Sequence, residues 1–375
     1  MIKKVSMIVY GRMPTEKAYG IHALNQAKSF KNLGYEVELI YPSTKNKYTI
    51  NQTIGEYYNE IFDFKVIEKE NFDITGLKIF NFFPNFLKKF LWLFSSYVWA
   101  KSLKNNVADS IIWSTNPVIC WVLKNSKKII FEKHGEGKRA QKIFINRFKS
   151  NNFFLIGTTK TSFEELKNVN SQSIYLTNGV DTGRFYPSKH NSTEIIVGYA
   201  GMLETYGVDK GVLSTVTKML KVMNDTNFKV VIIGGPEYKI NEIKNIVYRS
   251  AHFDNFEFVS RLPQNHLAEK IRQFDIGLVP YPKNTHMDLY ASPLKIFEYM
   301  ASGVIPLVSD LTAHKEIDLK GIVYYEQDSL ESFENVLKGL LDKETIISKK
   351  EEVINQITKI SLDYRSEKII DFLRL

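Results

Sequence analysis

The sequence predicts an α/β protein built from two doubly wound, parallel-sheet domains. Three observations carry this. Short β-branched or aromatic runs alternate with helical patterns along the whole chain. Most of those runs are continuously apolar, as in strands covered by helices on both faces. And 375 residues are too many for one ordinary core. Hydrophobic residues at 44% and charged residues at 24% are a normal globular balance.

In chain order, the first half offers the strands VSMIVY from Val5, YEVELIYP from Tyr35, LKIFNFF from Leu77, DSIIWST from Asp109, KKIIFEKH from Lys127, FFLIGTT from Phe153 and SIYLTNG from Ser173. The second half offers TEIIVGYAG from Thr193, FKVVIIGG from Phe228, FEFVSRL from Phe256, DIGLVPY from Asp275, VIPLVSD from Val304 and GIVYYEQ from Gly321. Helical periodicity fills the gaps, as in GIHALNQAKSFKNLG from Gly20 and HLAEKIRQF from His266. Two βαβ series imply Rossmann-like domains at 1–180 and 193–355. Between them, DTGRFYPSKHNS at 181–192 is polar and carries Gly and Pro, as a linker does. The segment 356–375 holds a helix with no strand after it, and is expected to pack back on the N-terminal domain. Open α/β sheets bind ligands beyond the carboxyl ends of their strands, at helix N-termini, so two sheets facing a central cleft point to a ligand that carries phosphate.

Bulk properties exclude other classes. A single cysteine, Cys120, rules out an internal disulfide framework and fits a reducing cytoplasm. No Cys/His cluster has zinc spacing. The net charge of +9 favours anionic partners, but no zinc finger or aromatic RNA-binding signature accompanies it, so nucleic acid is not expected. The apolar run in MIKKVSMIVYGRMP is too short for a signal-peptide core and reads as a first strand. FLWLFSSYVWA at 90–100 is far short of a membrane span. A cytoplasmic protein is expected, with a peripheral place at the membrane left open. Within 83–106, Phe83, Phe86, Phe90, Phe94 and Tyr97 recur at helical spacing among Lys88, Lys89, Lys101 and Lys104. That pattern fits a helix lying weakly on an anionic membrane at 83–104. It also fits a helix packed on the N-terminal sheet with its lysines in water, as a helix is needed there before the strand DSIIWST.

The chemistry concentrates in SPLKIFEYMASG, 292–303. Ser292 suits an N-cap, Pro293 the first helical position and Gly303 the residue past the end. The free N–H groups at the start of that helix, around Leu294, would favour a diphosphate. Glu298, a turn and a half further on, can accept hydrogen bonds from ribose hydroxyls, or it can pair with Lys295 at i,i+3 on a solvated face.

At this point several segments together resemble glycosyltransferase family 4 (group 1) and related GT-B enzymes. SPLKIFEYMASGVIPLVSD is similar to their donor-site segment. TNGVDTGRFYP at 177–187, GYAGMLETYGVDKGV at 198–212 and MPTEKAYGIHALNQAKSFKNLGYEVELIYP at 13–42 follow in the family's order across nearly the whole chain. The resemblance implies that Glu298 holds the nucleotide ribose and Lys210, in DKG, the donor diphosphate. It implies that His134, in FEKHG, stands near the donor sugar and reaction centre. Gly11 and Gly20 fall where a first loop nears phosphate or sugar, and Gly234 and Gly235 end a cleft-facing strand. Each position has a plainer reading: a solvated loop lysine, a structural histidine, a strand-to-helix turn.

The sequence also departs from the family. Tyr290 stands where the first glutamate of a pair belongs, with Asp288 nearby. Met202 stands where an arginine joins the lysine, leaving Arg261 or Lys295 to supply that charge, and Ser260 replaces a glycine near the base pocket. No Asp-X-Asp pair occurs to hold a metal on the diphosphate, so neither metal nor cofactor is expected, and a UDP- or GDP-linked sugar enters as substrate. The resemblance implies a retaining transfer from that nucleotide sugar to a glycan or lipid-linked acceptor in bacterial-type surface polysaccharide synthesis. Tyr290 and Met202 keep open a degenerate GT-B protein that binds nucleotide sugar or glycan as a partner subunit. A nicotinamide oxidoreductase is disfavoured, since VYGRMPTEKAYG lacks G-x-G-x-x-G.

Overall fold

Parallel strands dominate both halves of the chain. The computed structural model describes residues 3–44, 49–71, 82–137, 139–188, 194–205 and 207–374. The chain divides into two units, Met1–Thr177 with Leu362–Leu375, and Asn178–Ser361.

The first unit contains β1 (Lys4–Ile8), β2 (Glu36–Pro42), β3 (Lys65–Lys69), β4 (Ile111–Ser114), β5 (Lys128–Lys133), β6 (Phe153–Gly157) and β7 (Ser173–Tyr175). They form one parallel sheet in the order β3-β2-β1-β4-β5-β6-β7. β6 is buried along its whole length and β1 from Val5 onward, as strands covered on both faces must be. Edge strand β3, KVIEK, escapes a search for apolar runs because it alternates charge with partial burial. Of the strand expected from Leu77, residues 77–81 lie outside the described residues, as do 189–192 of the expected linker.

The final helix, Leu362–Arg374, belongs to this first unit and lies on helix Ala18–Asn32. The Ser29 hydroxyl donates to the Leu362 carbonyl at 2.8 Å, and the Ser366 hydroxyl accepts from Gln26 and lies 2.7 Å from that of Ser29. Helix Asn85–Ser102 buries Ser95, Ser96, Trp99 and Ala100. Its opposite face leaves Phe86 74%, Phe90 61% and Phe94 52% exposed.

The second unit contains β8 (Ile196–Met202), a two-strand ladder of β9 (Glu204–Thr205) and β10 (Val208–Asp209), then β11 (Lys229–Gly235), β12 (Phe256–Ser260), β13 (Ile276–Val279), β14 (Ile305–Ser309) and β15 (Val323–Tyr325). The main sheet is parallel, in the order β12-β11-β8-β13-β14-β15. Its strand order reverses between β8 and β13, the place where such sheets bind ligands. Residues 181–188, expected as linker, pack into this unit. Phe185 is buried beside Val180, whose N–H donates to the Ile360 carbonyl at 2.9 Å. An apolar side chain in the middle of DTGRFYPS holds that stretch down.

Candidate functional site

In the second unit, the carboxyl ends of β8, β11 and β13 meet the start of helix Leu294–Ala301. β8 and β11 pair Gly201 with Gly234 there, both in backbone conformations that favour glycine (φ +141° and +146°). A Cβ on Gly234 would fall 1.9 Å from the Gly201 carbonyl oxygen, and one on Gly201 would fall 2.5 Å from Lys295 Nζ. The strand ends are thus bare backbone beside an ammonium group. Gly235, at the end of β11, is buried without such crowding.

Tyr281, just after β13, joins two amines. Lys210 Nζ lies 4.7 Å from its ring centroid and Lys295 Nζ 5.8 Å, and Lys295 also lies 5.0 Å over the Tyr199 ring. Lys210 additionally touches Met287 Sδ at 3.9 Å. Both lysines are partly buried. Burial pushes Lys295 down to about 8, against the opposing pull of Glu298. Lys210 is lowered too, first by burial and then by Lys295, while Tyr281 and Asp209 resist. Two cations beside one aromatic ring, both made less basic by desolvation, suit a multiply charged anion. Neither Tyr281 nor Tyr199 is foreseen from the sequence, because both sit in stretches that read only as strand.

Glu298 lies in the helix, partly buried. Burial raises its carboxyl, and Lys295 and Arg184 oppose the rise. Among the described residues, no hydrogen bond or ion pair reaches its carboxylate, so the alternative of a surface pair with Lys295 is not formed. Ser292 is not the N-cap. The helix begins at Leu294 with Pro293 as cap residue, and Asn178 Nδ2 donates to the Ser292 carbonyl at 2.8 Å and to its hydroxyl at 3.1 Å. That engagement draws Ser292 away from capping. Gly303 ends the helix as expected, with its N–H on the Met300 carbonyl and that of Val304 on Tyr299.

Tyr290 is buried. Asp288, the nearby acid, accepts from the Thr312 N–H at 2.9 Å, at the start of the short helix Thr312–Lys315. It is therefore committed elsewhere. Arg261 is exposed just past the end of β12, at the same carboxyl end of the sheet as Gly234.

In the first unit, His134 follows β5 and is exposed, yet it caps a buried charge cluster. Its Nε2 lies 2.7 Å from Glu132 Oε1. His22 Nε2 meets the same oxygen at 3.0 Å, and Arg365 Nη2 forms an ion pair with it at 2.9 Å. Trp113 Nε1 donates to Oε2 at 3.1 Å. Glu132 is fully buried, which alone would raise its carboxyl; Arg365 and the two imidazoles reverse this and hold it well below the ordinary carboxylate range. Burial lowers His22 despite Glu132. The donor atoms of His22, Glu132 and His134 lie within 4.8 Å of one another, close enough for a metal ion. The Arg365 guanidinium already supplies positive charge at their shared oxygen, so the cluster is built as an ion network. An acid inside the apolar strand KIIFEK is the sequence signal for it, since a buried carboxylate needs partners.

Gly11 and Gly20 are crowded by the protein's own side chains. A Cβ on Gly11 would meet Tyr19 Oη at 2.8 Å, and one on Gly20 would meet Thr15 Cγ2 and Tyr58 Oη at 2.5 Å.

Residues 194–343 match the family model described as Glycosyl transferases group 1. The second unit is a group 1 glycosyltransferase domain. The lysine pair, Glu298 and the glycine strand ends all lie inside its matched span. No curated protein sequence matches the chain. Sucrose-phosphate synthase from Thermosynechococcus elongatus is 14% identical, with 99% of this chain and 98% of that one covered at a TM-score of 0.71. A glycosyltransferase from Rickettsia africae ESF-5 is 13% identical over 99% and 98%, also at 0.71. HepE from Anabaena, solved in complex with UDP and glucose, is 9% identical over 98% and 99%, at 0.68. At such identities these likenesses establish the fold, which is GT-B. Around the glycosyltransferase domain, no helix among the described residues is long and apolar enough to cross a membrane.

Proposed function

We propose that the protein moves a sugar from a nucleoside-diphosphate sugar to a glycan or lipid-linked acceptor, with retention of anomeric configuration. The observation that carries this is the pair of ammonium groups, Lys210 and Lys295, converging on Tyr281 beside the bare strand ends of Gly201 and Gly234. Lys295 supplies the second positive charge that Met202 does not. The diphosphate lies against these amines, and Glu298 accepts from the ribose one and a half turns along the helix. As the sugar departs, charge grows on the bridging phosphate oxygen, and preorganised cations favour that state over the bound ground state. His134 is assigned to the sugar. Arg261 and the backbone N–H groups of the first turn of the helix, from Leu294 on, are secondary anion contacts.

HepE, of the same fold, has been solved with UDP-glucose, which supports a UDP-linked donor; a GDP-linked one shares the same diphosphate chemistry. A galactosyltransferase of the lipopolysaccharide outer core shares the fold at a TM-score of 0.64, in keeping with a role in surface polysaccharide synthesis. The reading needs no metal, because two amines neutralise the leaving group. Activity should persist in excess EDTA, and loss reversed by magnesium or manganese would contradict it. The exposed ridge of Phe86, Phe90 and Phe94, flanked by Lys88, Lys89 and Lys101, suits weak contact with an anionic bilayer at the cytoplasmic face.

A second reading rests on Tyr290. With the first family acid absent and Asp288 committed to Thr312, the domain can be a binding subunit without turnover. Release of UDP or GDP from nucleotide sugars in the presence of acceptor membranes separates the two.

A further inference from the structure

We propose that Glu132, with Arg365 from the final helix as its counter-ion, positions His134 by fixing its ring as the Nε2–H tautomer, so that Nδ1 is the nitrogen left for a ligand. The step from positioning to catalysis rests on the reading of His134 as a sugar-side group; the positioning itself does not.

The geometry is specific. An ionised carboxylate can only accept, so both imidazoles must present Nε2–H to Oε1, at 2.7 Å from His134 and 3.0 Å from His22. The His22 ring stands edge-on to His134 at 4.7 Å and limits its rotation. His22 is itself buried between Glu132 and Trp113. Within the cluster only His134 reaches solvent.

Arg365 makes this arrangement stable. A fully buried carboxylate without a counter-charge takes up a proton, and a protonated Glu132 would carry its own O–H donor and accept more weakly from the two imidazoles. The guanidinium cannot wander. Its Nε donates to the Thr177 carbonyl at 2.8 Å and its Nη1 to Gln26 Oε1, while Nη2 stays 2.9 Å from Glu132. The last helix of the chain therefore supplies the charge that orients a histidine far from it in sequence.

The test is NMR on the full chain with nitrogen-15 histidine, where two-bond correlations show which ring nitrogen carries the proton. His134→Gln assigns the signal by its loss. At about pH 8.5, two units above the ordinary imidazole value, the proposal expects wild-type His134 as Nε2–H. In folded Arg365→Met the two tautomers should average, and Arg365→Lys should restore Nε2–H in part. With UDP-glucose as the probe donor, Arg365→Met should lower turnover about a hundredfold with a smaller change in KM, as expected of a misplaced group. A wild-type His134 found as Nδ1–H, or averaging between tautomers, overturns the proposal whether or not the variants fold. So does a folded Arg365→Met whose His134 tautomer is unchanged. If the tautomers behave as expected while His134→Gln turns over UDP-glucose like wild type, the positioning stands and the assignment of His134 to sugar chemistry falls.

Discussion

Lys295 is held where a positive charge is costly, and that has a measurable consequence. Burial keeps it at about 8, below the ordinary 10.5. Between about pH 8 and 10.5 the folded protein therefore binds fewer protons than the unfolded chain, and this group's contribution makes stability rise with pH across that window. A bound diphosphate favours the ammonium form and reverses the balance. Calorimetric affinity for the nucleoside diphosphate should thus fall as pH rises through about 8, and Lys295→Met should flatten that slope; an equal slope in the variant would remove Lys295 from the anion site. For Lys210 the expectation is kinetic. Lys210→Ala should lower turnover on the order of a hundredfold, the scale of one lost preorganised donor, with donor affinity falling less. A raised KM with intact turnover would make Lys210 a uniform binding group. Glu298→Gln should weaken nucleotide binding by about 1.5–3 kcal/mol, since a hydrogen bond to a charged group is lost, and leave the melting temperature near wild type. Unchanged affinity would free Glu298 from the ribose.

At the scale of elements, two helices show what patterning reveals and what it hides. Helix Leu294–Ala301 is legible from SPLKIFEYMASG because Pro before it and Gly after it mark both ends, yet Ser292 is misread as its cap, because only the fold brings Asn178 to it. Helix Asn85–Ser102 is legible as a helix, but its aromatic spacing does not say which face packs. Small and aromatic residues, Ser95, Ser96, Trp99 and Ala100, turn inward, and the Phe ridge turns out. The helix has a packed face, as one of the sequence's alternatives requires, and also an exposed apolar face, which the membrane alternative would need. Replacing Phe90 and Phe94 with Asn should abolish co-sedimentation with anionic vesicles at low salt without lowering thermal stability, as those rings are exposed. Wild-type protein that fails to sediment with such vesicles would leave the ridge without a lipid partner. Strand β3 is hidden for the opposite reason, since a charged edge strand lacks the apolar run that marks its neighbours.

Across the whole molecule, the alternation of strand and helix makes the fold class legible, and both sheets share the order in which the first strand of each sits centrally. Contacts that join distant parts of the chain are not legible. Tyr281 gathers Lys210 and Lys295, and Glu132 gathers His22, His134 and Arg365, through the three-dimensional path of the backbone alone. Motif context points to Lys210, Glu298 and His134 without their partners. The proposed chemistry depends on the glycosyltransferase domain binding a nucleoside diphosphate through Lys210 and Lys295. The most direct test is thermal unfolding of the full chain with UDP, GDP, ADP and CMP, for wild type and for a Lys210→Met, Lys295→Met double variant. At a hundred times its dissociation constant, a ligand bound only by the folded state adds about 2.7 kcal/mol of stability. The melting temperature should rise for that reason with UDP or GDP in the wild type and not in the double variant. No rise with any nucleoside diphosphate, or the same rise in the double variant, would contradict it.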